Sequence, residues 1–573
     1  MHNGGAKVLL AGLAVVIVAG GYLVMKLSPN QTLEAGSDQP VISKPCSNNI
    51  VVVPHIEGAS EFRQAFWSGL DLNCQPQAIV VISPNHYLNG IKPIIVTGKD
   101  WTISSGTVIG DQSLARQLET ESVLYDDEAF IKEHGVTNLL NDLNTYYKSV
   151  PVIAAMVGTN ATFPDIEELG ESLKAVCQSC LIIGSVDFSH SNPEALANVH
   201  DRTTIRELQS LDSTGIQDSE TDASMVLTLL IELAKANNNQ GFKVDSQGCV
   251  ASQADPDSSE CTTYVIGSFI DTPTDTEKMT SFTFAGDIML DRLVYHVFKD
   301  SGYEKMWSNW GKRRFWGTDI SMVNLEGPIS ENEISDDYTS GSMVFNFPPE
   351  SIDAIKYAGI NVVSLANNHT LNAGKGGLVY TKKILSDNHI DYIGNPNMLE
   401  ADSVKDYNTD IPLRIITVNY LENPDTDWIL DKIKEADQSG RSVIIYPHWG
   451  NEYQTTANSV QVNLAHQFID AGADIIIGSH PHVIQNIEIY NNRPIIYSLG
   501  NFIFDQTFSK PTQRGLLVTG IISTEKIEID ILPTKQVDLK PAFLTGEEKR
   551  TTLDALLQSV ESYIKNDTIV IDI

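Results

Sequence analysis

The stretch AGADIIIGSHPHVIQ, residues 471–485, runs from an apolar strand directly into two histidines separated by one proline. Consecutive apolar residues of this kind read as a short strand buried on both faces. A histidine pair at a strand end can brace a turn, ligate a metal or move protons. The rest of the chain has to decide among these roles.

Working outward, the second half of the chain repeats the pattern: FTFAGDIML, DISMVNLEG, NVVSLANNH, RIITVNY, SVIIYPHWG and RPIIYSLGNFIF each carry several apolar residues in a row. In open α/β sheets ligands gather beyond the carboxyl ends of the strands, and polar residues recur at such ends. Asp287 follows FTFAG; Asn324 and Glu326 follow DISMV; Asn367, Asn368 and His369 follow NVVSLA. His448 follows SVIIYP, His480 and His482 follow ADIIIGS, and Asn501 follows RPIIYSLG. Singly, each has an ordinary structural reading, because Asp and Asn cap helices and a loop histidine is often a satisfied structural residue. Together they assemble carboxylate, amide and imidazole donors, the set that binds zinc, manganese and iron. Such a rim suits two adjacent cations about 3.5–4 Å apart bridged by a carboxylate, which activate water near neutral pH.

The first half has its own alternation. NIVVVPH, QAIVVISPNH, VPVIAAMVG and CLIIGSVDFSH alternate with helix-like FPDIEELGESLKAV and TDASMVLTLLIELAKA, which predicts an α/β layer fold. A weaker constellation of the same kind ends these strands: His55, His86, Asp187 and His190.

A length of 573 residues exceeds what one core usually organises, so two or more domains are expected. The 39 Lys+Arg against 73 Asp+Glu give a formal net charge of -34, a field that repels polyanions and excludes nucleic acid as an expected partner. Residues 8–25 form an uncharged, mostly apolar run between Lys7 and Lys26. As a helix it reaches roughly 27 Å, enough to cross a bilayer core. No small-x-small cleavage site follows it, so the reading is an uncleaved transmembrane anchor with the bulk of the chain extracytoplasmic, and a cleaved signal peptide is the rival. All six cysteines (Cys46, Cys74, Cys177, Cys180, Cys249, Cys261) lie in the first half, an even number that permits three disulfides in an oxidising compartment. CQSC at 177–180 reads as a structural bridge or idle thiols, with a redox or zinc half-site as the alternative.

The second-half motifs GDIML, NLEGPIS, LANNHTLNAG, PHWGNEY, GSHPHVIQ and SLGNFIF resemble the calcineurin-like metallophosphoesterases, and within them the CapA family of poly-gamma-glutamate capsule synthesis proteins. The resemblance implies an α/β sandwich in which Asp287 and His482 hold one divalent ion, Asn368, His448 and His480 hold the other, and Glu326 bridges them, with Mn, Zn or Fe as the ions. It implies His369 as general acid. The chain departs from the wider pattern at Met289, where a histidine is usual, and at Glu326, where Asp is usual; Asp291, Asn324 or Glu452 are candidates to compensate.

In the first half, VVPH, ISPNH, GSVDFSH and CTTYVIGSF resemble the Memo-like family (AmmeMemoRadiSam system protein B), which shares a fold with extradiol ring-cleaving dioxygenases. That resemblance implies a second metal site, for Fe or Cu, at His55, His86 and His190, with Asp187 beside them and Cys249 as a further ligand. A bridge from Cys249 to Cys261 would remove that thiolate.

The organisation that follows is an anchor at 1–27, a linker at 28–45, a Memo-like domain at 46–272, a linker at 273–280, a CapA-type domain at 281–543 and a tail at 544–573. The expected function is a membrane-anchored hydrolase in the synthesis or export of a capsule-type polymer such as poly-gamma-glutamate. Its expected partners are polymer synthase or export proteins and an anionic polymer or phosphoester substrate. The alternatives are a non-catalytic, metal-stabilised scaffold for that machinery and a redox or metal-binding role of the first domain. The run KRR at 312–314 is either a contact for the polymer or a solvated charge cluster.

Overall fold

The computed structural model describes residues 49–573 apart from 71–74, 252–259, 312, 335–342 and 397–400, and, before residue 49, only the strands Ile17–Val18 and Gly21–Tyr22. The chain divides into the units Met1–Lys44 and Pro45–Ile573. In the first, the two short strands pair antiparallel, and the remainder of the expected anchor lies outside the described residues. Among the described residues no helix is long and apolar enough to cross a membrane. The larger unit is mixed α/β with several sheets.

Its first half is built on a nine-stranded sheet. The strands are β1 (Asn49–Val53), β2 (Ile79–Pro84), β3 (Ile94–Thr97), β4 (Val123–Tyr125), β5 (Val152–Val157), β6 (Leu181–Ser185), β7 (Gly241–Ala251) and β8 (Glu260–Ile270), with Asn192–Pro193 at the edge. The order is Asn192–Pro193, β8, β1, β6, β2, β5, β3, β4, with β7 on β8. β1, β6, β2 and β5 run parallel. Successive residues of β1 serve opposite layers, as the twofold period of a strand requires. Ile50 and Val52 pack with Leu169 and Leu230 of helices α1 (Phe163–Val176) and α3 (Ser224–Ala236), whereas Val51 and Val53 pack with Trp67, Phe130 and Leu140. Hence these strands read as continuous apolar runs rather than alternating ones.

The second half is a sandwich of two sheets. The larger has ten strands, among them β9 (Met279–Ile288), β10 (Ile320–Leu325), β11 (Val362–Ser364), β12 (Asp391–Ile393), β18 (Asn501–Ile503), β19 (Arg514–Ser523), β20 (Lys526–Val537) and β21 (Thr568–Asp572). The smaller has six, with Val404–Tyr407 beside β13 (Leu413–Asn419), β14 (Ser442–His448), β15 (Ile475–Ile477), β17 (Arg493–Ile496) and β16 (Ile487–Tyr490). Phe282, Phe284 and Met322 of the larger sheet meet Ile415, Ile444, Tyr446 and Ile475 of the smaller in one dry core. Helices α5 (Thr426–Gln438) and α6 (Ser459–Asp470) cover the outer face of the smaller sheet, and α4 (Gly374–Asp387) packs over the larger one. The tail at 544–573 ends in β21, which pairs with β20, so it completes the sheet instead of standing apart from it.

The two halves are joined through α2 (Glu194–Ser210), whose Val199 packs on Met279 and Ile521. Arg206 donates to the Met279 carbonyl (3.0 Å) and pairs with Asp319 (2.8 Å). Arg202 pairs with Glu528 (2.8 Å). The KRR run belongs to this junction as well. Arg314 is buried, donates to the Ser191 carbonyl (2.8 Å) and pairs with Glu260 (3.1 Å), and Arg313 stacks on Trp316. Arg314 is therefore no loose surface charge, whereas Arg313 is exposed; Lys312 lies outside the described residues.

Candidate functional site

Sheet register assembles the second-half centre. Asp287 on β9 stands beside Asn324 on β10 and beside Asn501 on β18. Glycine makes this crossing fit: a Cβ on Gly286 would sit 1.8 Å from the Gly500 carbonyl oxygen, which accepts the Asp287 N–H at 3.1 Å. The Asn324 amide donates to Asp287 Oδ1 (2.8 Å) and Glu326 Oε2 (3.2 Å), and its oxygen accepts from Asn367 (3.0 Å). Asn367 in turn accepts from the His369 N–H (3.0 Å) and the Thr370 hydroxyl (2.9 Å), which fixes the turn after β11.

From the smaller sheet come the histidines. His448 ends β14 and bridges to Ser479, and both His480 (φ 95°) and His482 (φ 57°) adopt left-handed backbone around Pro481. That conformation is costly for non-glycine residues and clusters at functional turns. His482 Nδ1 lies 3.0 Å from Asn501 Oδ1 and 3.2 Å from Asp287 Oδ2, and its Nε2 lies 3.5 Å from Glu326 Oε1. Asp287, Glu326 and His482 offer donor atoms within 4.8 Å of one another. His448 Nε2 meets Asn368 Oδ1 at 2.8 Å, its Nδ1 meets Ser479 at 3.1 Å, and its ring is 4.7 Å from that of His480. His369 stacks on Phe345 (4.2 Å) with Nδ1 held by Asn372 (3.0 Å).

The electrostatics are those of a crowded, buried centre. Burial, followed by the adjacent Asp287 carboxylate, pushes Glu326 well above the carboxylate range. Burial opposes protonation of His482, yet Glu326 and Asp287 raise it to about 9. Burial and the neighbouring His482 lower His480 to about 4, and burial with His480 drives His448 well down. Asp287 Oδ2, Glu326 Oε1 and His480 Nδ1 are buried and receive no hydrogen bond. Two carboxyl groups buried against each other with only the His482 ring to face their free oxygens leave an excess of buried negative charge that a cation offsets, so the donor set fits divalent metal. Of the residues expected to compensate for Met289, Asn324 orients both carboxylates, whereas Asp291 caps the following helix and accepts from Arg292 and Asn346.

The first-half centre gathers at the ends of β1, β2 and β6. His55 and His86 come together, with Nε2 of each facing Asp222 Oδ2 at 3.1 and 3.5 Å. Asp187 lies 3.3 Å from His55 Nε2 and accepts the N–H groups of His55 (2.9 Å) and Ile56 (3.0 Å). His190 acts electrostatically on Asp222 and Glu220 and gives its backbone N–H to Glu220 (3.2 Å); it is in none of the groups whose donor atoms lie within 4.8 Å of one another among the described residues. Cys249 is a correction: it is bonded to Cys261, so it has no thiolate to offer a metal. Cys177 and Cys180 form a second disulfide, both buried beneath α1, while Cys46 and Cys74 lie outside the described residues. Two residues of this centre were not legible from strand ends. His134 stacks on His86 at 3.9 Å from a loop helix preceded by buried Glu133, and Asp222 precedes α3 where it reads as a helix cap. An acid beside a histidine in KEHG was the one available signal for His134. His86 is raised to about 9 against burial by Asp222 and Glu133, and His134 is lowered by burial and by His86.

Two α/β units, each with an acid–imidazole centre beyond its strand ends, define the architecture. The family model described as bacterial capsule synthesis protein PGA_cap matches residues 281–506, and that of Memo-like protein matches residues 23–238. Over 294 residues the chain is 28% identical to "Capsule biosynthesis protein CapA" of Bacillus anthracis, covering 47% of this chain and 70% of that one. It is 28% identical over 260 residues to "PGA biosynthesis protein CapA" of Bacillus subtilis (strain 168), covering 42% and 67%. Over 148 residues it is 28% identical to "MEMO1 family protein PAE0818" of Pyrobaculum aerophilum, covering 25% of this chain and about half (52%) of that protein. The chain is a fusion of a Memo-like segment with a CapA-type segment.

Proposed function

We propose that the chain is a metal-dependent hydrolase of capsule or poly-gamma-glutamate synthesis, working through the centre of its CapA-type segment. One observation carries the reading: two buried carboxylate oxygens, on Asp287 and Glu326, converge with His482 and receive no hydrogen bond. In this reading Asp287 and His482 would hold one divalent ion, Asn368, His448 and His480 would hold the other, and Glu326 would serve both. When bound, such ions polarise a phosphoryl or acyl oxygen and activate water. The chain's own residues do the rest. Asn324 holds both carboxylates in register, Asn501 orients the His482 ring, and the apolar wall of Phe345 and Phe504 limits water around His369 and His482. With Nδ1 of His369 engaged by Asn372, Nε2 is the nitrogen that transfers a proton to a leaving oxygen.

We place the chain at the cell membrane through residues 8–25, its bulk outside the cytoplasm beside polymer synthase or export proteins. The two disulfides support an oxidising compartment. The test is metal content by mass spectrometry of the full chain and of its His480→Ala variant, followed by turnover of phosphoester and glutamyl substrates by His369→Gln. Metal that falls in the first variant, and turnover lost with metal retained in the second, is the expected result. Metal binding without turnover in the parent chain would leave a scaffold.

A further inference from the structure

Asp222 occupies a position in the Memo-like segment that the family resemblance does not assign. Its Oδ2 is buried and faces only the two imidazoles, 3.1 Å from His55 Nε2 and 3.5 Å from His86 Nε2. The other nitrogen of each ring is already committed. His55 Nδ1 meets the Ser185 hydroxyl at 3.2 Å, and His86 Nδ1 meets Glu133 Oε1 at 2.5 Å. This is the arrangement by which outer partners aim imidazoles at a metal. Asp222 Oδ1 is likewise fixed, accepting the Asp187 N–H at 3.2 Å, which leaves Oδ2 for the centre. Two ligands at right angles, each about 2.1 Å from one ion, stand about 3 Å apart, and the observed separations match that spacing.

We propose that this segment binds one divalent ion of the ferrous class through His55, His86 and Asp222. Two imidazoles and one carboxylate with the remaining positions open are the facial set of non-haem iron(II) sites. Cys249 is withdrawn into its disulfide, so the third donor of this set is the Asp222 carboxylate. Asp187 shapes the loop through two backbone N–H groups. His134, stacked on His86 and 3.5 Å from the half-exposed Tyr87 hydroxyl, shares a donor group with His55 and His86; in this proposal it lines the open side and the carboxylate is the third ligand.

The full chain loaded anaerobically with Fe(II) tests this. Iron per chain and the paramagnetic resonance of the nitric oxide adduct are compared among the parent, Asp222→Asn, Cys249→Ser and His134→Gln. Asp222→Asn is expected to lose one ion per chain together with the nitrosyl signal, while the other two keep both. Retention of ion and signal in Asp222→Asn overturns the assignment, as does their loss in Cys249→Ser or His134→Gln. The Co(II) spectrum of the parent chain decides without any substitution. A spectrum lacking a thiolate-to-metal charge-transfer band is expected, and such a band overturns the proposal.

Discussion

Asp287 and His482 stand 3.2 Å apart although they belong to opposite sheets of the sandwich, one ending β9 and the other following β15. The centre therefore exists only while the two sheets are packed, and Tyr446, whose hydroxyl donates to the Ala285 carbonyl (3.3 Å), ties them directly beneath it. Metal content is thus expected to report on sheet packing as well as on ligands.

Asn501 is the outer partner of His482 (3.0 Å) and is itself held by Gln506 and the Thr512 carbonyl. Replacing it with alanine is expected to weaken metal affinity by about 10–100-fold while the fold survives. Competition with a chelator measures it; unchanged affinity would remove Asn501 from the site's support.

Gly286 has no room for a side chain, since a Cβ would meet the Gly500 carbonyl at 1.8 Å. The atoms it would meet, of Gly500 and Leu499, are all backbone and cannot rotate away. Gly286→Ala is expected to cost about 2–4 kcal/mol and to displace Asp287. Denaturant unfolding with parallel metal analysis checks both effects.

Arg206 joins the halves with most of its surface buried, and Asp319 and Glu207 share its guanidinium. Arg206→Ala leaves Glu207 and Asp319 without their shared cation, Asp319 keeping only its hydrogen bonds from Ser281, at a cost of about 3–5 kcal/mol. Calorimetry should show a lower melting temperature; an unchanged one would mean the halves do not depend on this pair.

Burial raises Asp201 to about 7, against the hydrogen bond it accepts from Thr263 (2.8 Å). The folded state therefore holds this proton more tightly than the unfolded chain, whose carboxyl titrates near the ordinary value of about 3.9. Stability from this group is full below that value and is lost as pH rises towards 7, by up to about 4 kcal/mol. Asp201→Asn is expected to flatten the loss between pH 4 and 7 and to be the more stable chain above it. Unfolding curves across that range decide it, and a parallel pair of curves would refute it.

Much of the architecture was legible because its signals are local. Apolar runs such as IVVVP and DIIIG mark strands buried on both faces, and the polar residue after each run marks a sheet's carboxyl rim. The second-half residues singled out on that ground are gathered in one buried centre, while Asp291, a candidate to compensate for Met289, caps a helix instead. In the first half the same rule found His55, His86 and Asp187 but passed over His134 and Asp222, which arrive from a loop helix and a helix start.

The sequence by itself determined the two α/β halves, their strands, and the carboxylate, amide and imidazole types at the strand ends, because side-chain chemistry and hydrophobic period are properties of neighbouring residues. Only the tertiary structure decided which donors share a centre, that Cys249 is spent on Cys261, and that Arg314 is buried between the halves. Those outcomes depend on register and on packing between segments far apart in the chain: Asp287 meets Asn501 across a glycine crossing, and Asp222 reaches His55 where it is held by Asp187, which follows β6 beside β1.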